Sequence, residues 1–246
     1  KAHREPRRSD FENGLTKSEK LDDYELGWRF NSKQAKNIKV NTNIFYMNYK
    51  DQLVLTGAID DVGAPIRATS GKSYRLGLEI DANIPILNNL SLLPNIAVSS
   101  NKNNDFISSK DGELVNLGTT NISFSPSFVA GNIIEYQPVE NLYLSILSKF
   151  VGEQYMGNID SETSKLDAYF ITDFNVMYSL KNIPYFKEIV LTGLVNNIFN
   201  VEYISNGYFY TYEDTWTDPN IATTIEGAGY YPQATINFLL GVTLRF

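Results

Sequence analysis

The closing run "ATINFLLGVTLRF" separates into two sets when its residues are taken alternately. Ala234, Ile236, Phe238, Leu240, Val242, Leu244 and Phe246 are all apolar. Thr235, Asn237, Leu239, Gly241, Thr243 and Arg245 carry an amide, two hydroxyls and a guanidinium. A helix would scatter these polar groups around its circumference, whereas a strand sends alternate residues to opposite faces. The run therefore predicts a β-strand with one dry face, packed either on a protein core or on lipid.

The same two-faced pattern recurs upstream. In "YELGWRF", Tyr24, Leu26, Trp28 and Phe30 oppose Glu25, Gly27 and Arg29. In "RLGLEIDANI", Leu76, Leu78, Ile80, Ala82 and Ile84 oppose Arg75, Gly77, Glu79, Asp81 and Asn83. Looser alternation predicts further strands near 38–50, 90–101, 119–137, 142–156, 167–180 and 188–200, nine in all. Short joins at "NSKQAKN", "PILNN", "PVEN" and "KNIPYFK" alternate with long segments at 51–72, 102–118, 157–166 and 201–233. Tight turns at one end of an up-and-down sheet and large loops at the other are the organisation of an outer-membrane barrel. No run approaches the roughly 18 consecutive apolar residues of a membrane helix, so any membrane contact is made by strands. A mean hydropathy of -0.24 suits a wall that shows lipid only every second residue. Nine strands cannot close alone without leaving two unpaired edges in hydrocarbon, so the remainder of a barrel must come from elsewhere. The start at Lys1, with no initiator methionine and no signal-like apolar segment, predicts the same.

Other chemistries find little support. The 246-residue chain carries 21 Lys and Arg against 28 Asp and Glu, the wrong balance for a general nucleic-acid binder. It has no cysteine and a single histidine, His3, so neither a thiolate site nor a histidine-based triad or multi-histidine metal centre can be assembled from it. A non-enzyme with no cofactor is expected. Asp60 with Asp61, and Glu213, Asp214 and Asp218, offer oxygen ligands for calcium but lack EF-hand spacing and are read as solvated loop charge. Gly71, Gly77, Gly227 and Gly229 form no phosphate loop and are assigned to turns or bends. Glu79 and Asp81 are read as lumen-lining, and Arg4, Arg7 and Arg8 of "REPRR" as a rim facing anionic chelates, lipopolysaccharide phosphates or plain solvent.

Sixteen tyrosines contribute to an aromatic content of 13%. Tyr24, Trp28, Tyr46, Tyr49, Tyr74, Tyr136, Tyr143, Tyr155, Tyr169, Tyr178, Tyr203 and Tyr208 lie near predicted strand ends, where amphipathic rings form interfacial girdles. In the longest loop, Tyr208, Phe209, Tyr210, Tyr212 and Trp216 supply flat contact area. That loop either captures a ligand or packs on the barrel mouth. The residues leave three classes open: a nutrient receptor, a passive porin or structural barrel subunit, and a secreted β-sandwich lectin or adhesin.

The stretch "LTGLVNNIFNVEYISNGYFY", followed by "YYPQATINFLLGVTLRF", resembles the C-terminal signature of TonB-dependent outer-membrane receptors. Asn197, Ile198, Phe199 and Asn200 match an Asn-x-Phe-Asn motif, with Tyr203 after it. Pro232 precedes the last strand and Phe246 ends it. "AHREPRRSDF", "DDYELGWRF" and "FYMNYKDQLVLTGAIDDVG" are similar to receptor forms of Bacteroidetes-type bacteria. The resemblance implies an all-β, antiparallel, up-and-down transmembrane barrel of 22 strands filled by an N-terminal plug. Residues 1–246 would supply about strands 13–22, with Lys1 to Glu5 as the tip of strand 13, while plug and earlier strands lie outside this chain. It also implies TonB-energised import of a scarce nutrient in the cell outer membrane, an iron-siderophore or other metal chelate foremost. The implied partners are the TonB complex, outer-membrane lipid and lipopolysaccharide, the barrel-assembly machinery and an extracellular ligand. In this reading Ile236, Phe238, Leu240, Val242 and Leu244 face lipid and Phe246 is the assembly signal. Tyr208, Tyr210, Tyr212 and Trp216 are the ligand-contact candidates.

Overall fold

A computed structural model describes residues 1–32, 37–59, 65–219 and 221–246. The chain starts with a three-residue β1 (Ala2–Arg4) and a short helix α1 (Arg8–Glu12), then runs into the long strands β2 (Glu19–Ser32) and β3 (Ile38–Lys50). A side hairpin, β4 (Leu53–Ile59) with β5 (Pro65–Thr69), precedes β6 (Lys72–Leu87) and β7 (Leu90–Asn104). A second hairpin, β8 (Ile107–Lys110) with β9 (Glu113–Asn116), leads through β10 (Thr120–Asn121) to β11 (Phe128–Val139) and β12 (Leu142–Val151). After β13 (Gln154–Tyr155), the 3-10 turn η1 (Glu162–Ser164) and β14 (Lys165–Leu166) come β15 (Tyr169–Ile183) and β16 (Phe186–Asn196). The hairpin β17 (Ile204–Asp214) and β18 (Thr223–Pro232) separates β16 from the last strand, β19 (Asn237–Arg245).

The wall is one antiparallel sheet in the order β1-β2-β3-β6-β7-β11-β12-β15-β16-β19. It contains the nine expected strands plus β1 as a short tip, and each neighbour is the next wall strand along the chain. The long strands form one sheet and not two facing ones, which removes the sandwich alternative. The sheet is open, with β1 and β19 at its edges.

Register explains why the two faces differ. One row runs Trp28, Thr42, Ile80, Ile96, Ala130, Phe150, Phe170 across seven strands, and another runs Tyr136, Leu144, Val176, Gly193, Leu240. The row behind them reads Arg29, Asn41, Asp81, Asn95, Gly131, Lys149, Ile171. Cross-strand partners share a face, so alternation within each strand becomes an apolar sheet surface and a polar one. Leu26, Trp28, Phe238 and Leu240 are exposed on the apolar surface. On the polar surface the segment after β10 folds back over the wall, where the Arg75 guanidinium donates to Ser125 Oγ at 2.8 Å. The compact apolar core lies at the long-loop end and includes Phe106, Ile122, Met156 and Leu166.

Several expectations need correction. The strand expected over 119–137 breaks after Asn121, because Phe124 takes a positive φ of 50° and donates its N–H to Tyr155 O. That over 142–156 stops at Val151 before the two-residue β13, and that over 188–200 stops at Asn196. The long segments at 51–72, 102–118 and 201–233 contain hairpins of their own. The girdle is narrower than expected. Tyr24, Tyr46, Tyr74, Tyr136 and Tyr178 lie on the apolar face, but Tyr49 and Tyr143 share rungs with Ser73 and Met177 on the polar face. Trp28 lies on a rung with Ile80 and Ile96 in the middle of the apolar band. Asp60 and Asp61 lie outside the described residues.

Candidate ligand-capture loops

The hairpin β17–β18 is itself two-faced. Tyr208, Tyr210 and Tyr212 alternate along β17, and their rings follow one another at centroid distances of 6.2 and 6.5 Å with interplanar angles of 21° and 17°. Tyr231 extends the series, 6.0 Å from Tyr208. Gly229 and Gly227 stand opposite Tyr208 and Tyr210 in the register. A Cβ on Gly229 would come within 2.3 Å of the Tyr208 ring, and one on Gly227 within 2.4 Å of Tyr210. The glycines are therefore mid-strand floors over which the phenol rings lie, a correction to their assignment as turns or bends. Tyr208 and Tyr212 remain about half exposed, at 52% and 48%.

The reverse face of the hairpin does the docking. Phe209 packs on Gly157, whose added Cβ would sit 2.7 Å from the ring. Glu213 Oε1 accepts from the Ser109 and Thr224 hydroxyls, Glu226 accepts from Ser161 Oγ, and the Tyr230 hydroxyl donates to Thr163 O at 3.1 Å. The β8–β9 hairpin turns on Asp111 and Gly112, both with positive φ, the two-residue turn that matches strand twist. At that tip Asp111 N–H donates to Thr224 Oγ1 and Asp111 Oδ1 accepts from Thr224 N–H, at 2.7 and 2.9 Å. Hairpins and η1 are thus tied into one cluster around a polar cavity of about 400 Å³ whose lining includes Ser108, Thr211 and Glu226.

Trp216 stands apart at the tip, 92% exposed and without a ring contact among the described residues. Its backbone is held by Asp214, whose Oδ1 accepts from the Trp216 and Thr217 amides and whose Oδ2 accepts from the Thr217 hydroxyl. Those three bonds, the hydroxyl's foremost, hold the Asp214 carboxyl below its ordinary range. Glu213 and Asp214 point to opposite faces of β17, and no group of three acidic or histidine side chains among the described residues is arranged to hold a metal ion.

A clamp at the base of the loop was not foreseen as such. Asn197 and Asn200 both adopt left-handed backbone, with φ of 51° and 54°, conformations that asparagine tolerates better than most residues. Asn197 is buried. Its side chain donates to Val201 O and accepts from Val201 N–H, while Asn200 Oδ1 accepts from Ile236 N–H. The motif thereby holds the loop's entrance at Val201 beside its exit at Ile236. The Tyr203 ring lies 4.6 Å from that of Tyr169, tilted by 33°, and the Tyr203 carbonyl accepts from Gln233 N–H. At the opposite end of the wall, Arg245 pairs with Glu188 at 2.6 Å, and the ring of exposed Phe246 lies 5.0 Å from Phe186. Of the "REPRR" arginines, Arg8 is paired with Glu12 in α1.

An open antiparallel wall with one apolar and one polar surface, tight turns at one end and a docked loop cluster at the other defines a segment of a membrane-type β-barrel. A family model described as TonB dependent receptor-like, β-barrel matches residues 7–198. The chain belongs to that family, whose members are outer-membrane receptors. None of the curated proteins matches it in a sequence comparison. Among solved structures it is similar to the ferric-catecholate import receptor Fiu from E. coli K12, with 15% identity over 94% of this chain, 28% of that chain and a TM-score of 0.64. The copper transporter OprC gives 15% identity, 92% and 31% coverage and a TM-score of 0.64. The ferric yersiniabactin uptake receptor FyuA from Yersinia pestis gives 16%, 93% and 30% coverage and 0.59. The chain therefore spans about three tenths of the length of these receptors, and at such identity the likeness concerns the fold.

Proposed function

We propose that residues 1–246 form the C-terminal part of the barrel, about strands 13–22 of 22, of an outer-membrane receptor that imports an iron-siderophore or another metal chelate. Energy reaches it from the TonB complex through a plug supplied by sequence outside this chain. The apolar surface, including Ile236, Phe238, Leu240, Val242 and Leu244, faces lipid, and the polar surface faces the lumen. Phe246 is the residue offered to the barrel-assembly machinery.

The observation that carries the ligand-binding part is the tyrosine ladder. Phe209, Glu213, Glu226 and Tyr230 of the reverse face bond to or pack on neighbouring segments, while Tyr208 and Tyr212 stay about half exposed on either side of Tyr210 for a flat or partly apolar cargo, with Trp216 beyond them. Aromatic side chains give large contact area at low cost in conformational entropy. The neighbours named for iron and copper transport motivate the cargo class.

The test is uptake by cells lacking the gene and by cells carrying Tyr208→Ala, Tyr210→Ala and Tyr212→Ala together. Loss of import of one metal chelate on deletion, and at least tenfold weaker binding in the triple variant at normal receptor abundance, is expected. Import that persists when TonB is inactivated refutes the energised receptor in favour of a passive barrel. Unchanged uptake of every metal chelate refutes the cargo class.

A further inference from the structure

Three lysines, distant in sequence, meet on one rung of the wall. Lys20 of β2 stands opposite Lys50 of β3, and Lys50 stands opposite Lys72 of β6. His3 continues the rung on one side and Asn104 on the other. All three lysines are exposed. They lie on the apolar face, because each is an even number of residues from Tyr24, Tyr46 and Leu76 in strands whose register is unbroken there. Like charges directly opposite one another destabilise a sheet. None of the ion pairs among the described residues includes Lys20, Lys50 or Lys72. On the next rung, Asp22 is taken by Lys1 at 3.5 Å. Glu19 accepts the Leu53 amide.

The position of the rung identifies what it meets. Tyr24 and Tyr46 stack at 6.4 Å and Tyr46 lies 6.4 Å from Tyr74, an aromatic patch of the kind that marks the headgroup level of a barrel. The lysines lie four residues further toward the long loops than Tyr24 and Tyr46, which is about 13 Å along a strand and about 10 Å along the membrane normal at the usual tilt. With the tyrosines at the headgroup level, this height is that of outer-leaflet lipid phosphates. We propose that Lys20, Lys50 and Lys72 form a docking site for the phosphate-bearing headgroup of an outer-leaflet glycolipid, with its acyl chains against Tyr24, Leu26 and Trp28 below. The site rests on the membrane placement of this face.

The experiment uses the full-length receptor in detergent, stripped of lipid, with three probes: diphosphorylated lipid A, its dephosphorylated counterpart and inorganic phosphate. The variant is K20Q/K50Q/K72Q. Wild type should bind the diphosphorylated lipid roughly 10- to 100-fold more tightly than the variant, as three juxtamembrane cations warrant. It should prefer that lipid to the dephosphorylated one and lose affinity with added salt. Equal binding by wild type and variant, or no preference for phosphate on the lipid, overturns the proposal. Inorganic phosphate that binds as tightly as the lipid overturns the lipid and leaves a free-anion site. Thermal unfolding gives a readout that a merely structural role does not share. The variant should unfold no earlier than wild type in lipid-free detergent, because repulsion is relieved, and earlier when diphosphorylated lipid is present. Earlier unfolding in both conditions means that the lysines act in folding alone. Leu240→Cys, probed with a lipid-phase maleimide in membranes, separates the premises. Labelling without a lysine effect refutes the docking site alone, and absence of labelling refutes the membrane placement on which it stands.

Discussion

Leu240 supplies the most direct test of which way the wall faces. It is 82% exposed, and across the rung it meets Gly193, where an added Cβ would touch the Leu240 side chain at 3.5 Å. Six residues separate it from Phe246, about 20 Å along the strand and about 15 Å along the normal at a tilt near 40°. In an apolar band about 25 Å tall this is close to the midplane, too deep for an arginine at that position to reach water without distortion. Leu240→Arg should therefore cost about 2–4 kcal/mol, a factor of roughly 30 to 800 in the folded-to-unfolded ratio. Thr243→Arg, opposite Val190 on the polar face, should cost under about 1 kcal/mol. The assay is denaturant-titrated folding of the full receptor into vesicles. Stability alone does not distinguish lipid from a protein partner covering Leu240, so cysteines at 238, 240, 242 and at 237, 241, 243 are labelled with a lipid-phase maleimide. Labelling of the first set only is expected. Equal labelling of both sets, or a larger penalty at Thr243 than at Leu240, refutes the assignment of the faces.

Three further outcomes follow from the loop cluster. Gly229→Val drives a side chain into the Tyr208 ring, so it should displace the ladder at a cost of about 1–3 kcal/mol and weaken chelate binding while receptor abundance holds, as read by titration with the cargo. Asn197→Ala removes both bonds to Val201 and places alanine at φ 51°; a local loss of about 2–4 kcal/mol is expected, seen as faster amide exchange over residues 201–236 with the wall unaffected. The folded-state pKa of Asp214 is depressed, so its contribution to the tip is present above the ordinary carboxylate value and lost as pH falls through the lowered one. Acrylamide quenching of Trp216, taken as the difference from Trp216→Phe, should rise across that acidic window in wild type and be flat in Asp214→Asn.

The wall was legible because the strand period is two and each face of the sheet is nearly uniform in polarity. Runs such as Leu76 to Ile84 state their own faces, and the nine strands followed from them. The side hairpins were less legible because their alternation is aromatic against mixed. Tyr208, Tyr210 and Tyr212 alternate with Phe209, Thr211 and Glu213, a period of two hidden by an aromatic on each side, and Gly227 and Gly229 gained meaning only once they stood opposite two of those rings. The Asn-x-Phe-Asn motif announced a family but not its work, since its bonds reach Val201 and Ile236 across a loop of more than thirty residues.

The lysine rung shows the deeper reason. Alternation fixes the face of every residue, yet it fixes register only to within steps of two, because a two-residue slip leaves all faces unchanged. Slipping β3 by two against β2 would set Lys50 opposite Asp22, an attractive pair, and would keep every apolar side chain on its side. The wall instead holds Lys50 opposite Lys20 and Asp22 opposite Asn48. Electrostatics within these two strands therefore does not choose the register; the neighbouring rungs and turns do. A repulsive rung maintained where an attractive one lies one step away is a cost to the isolated wall, and the anionic headgroup proposed for the three lysines would relieve it.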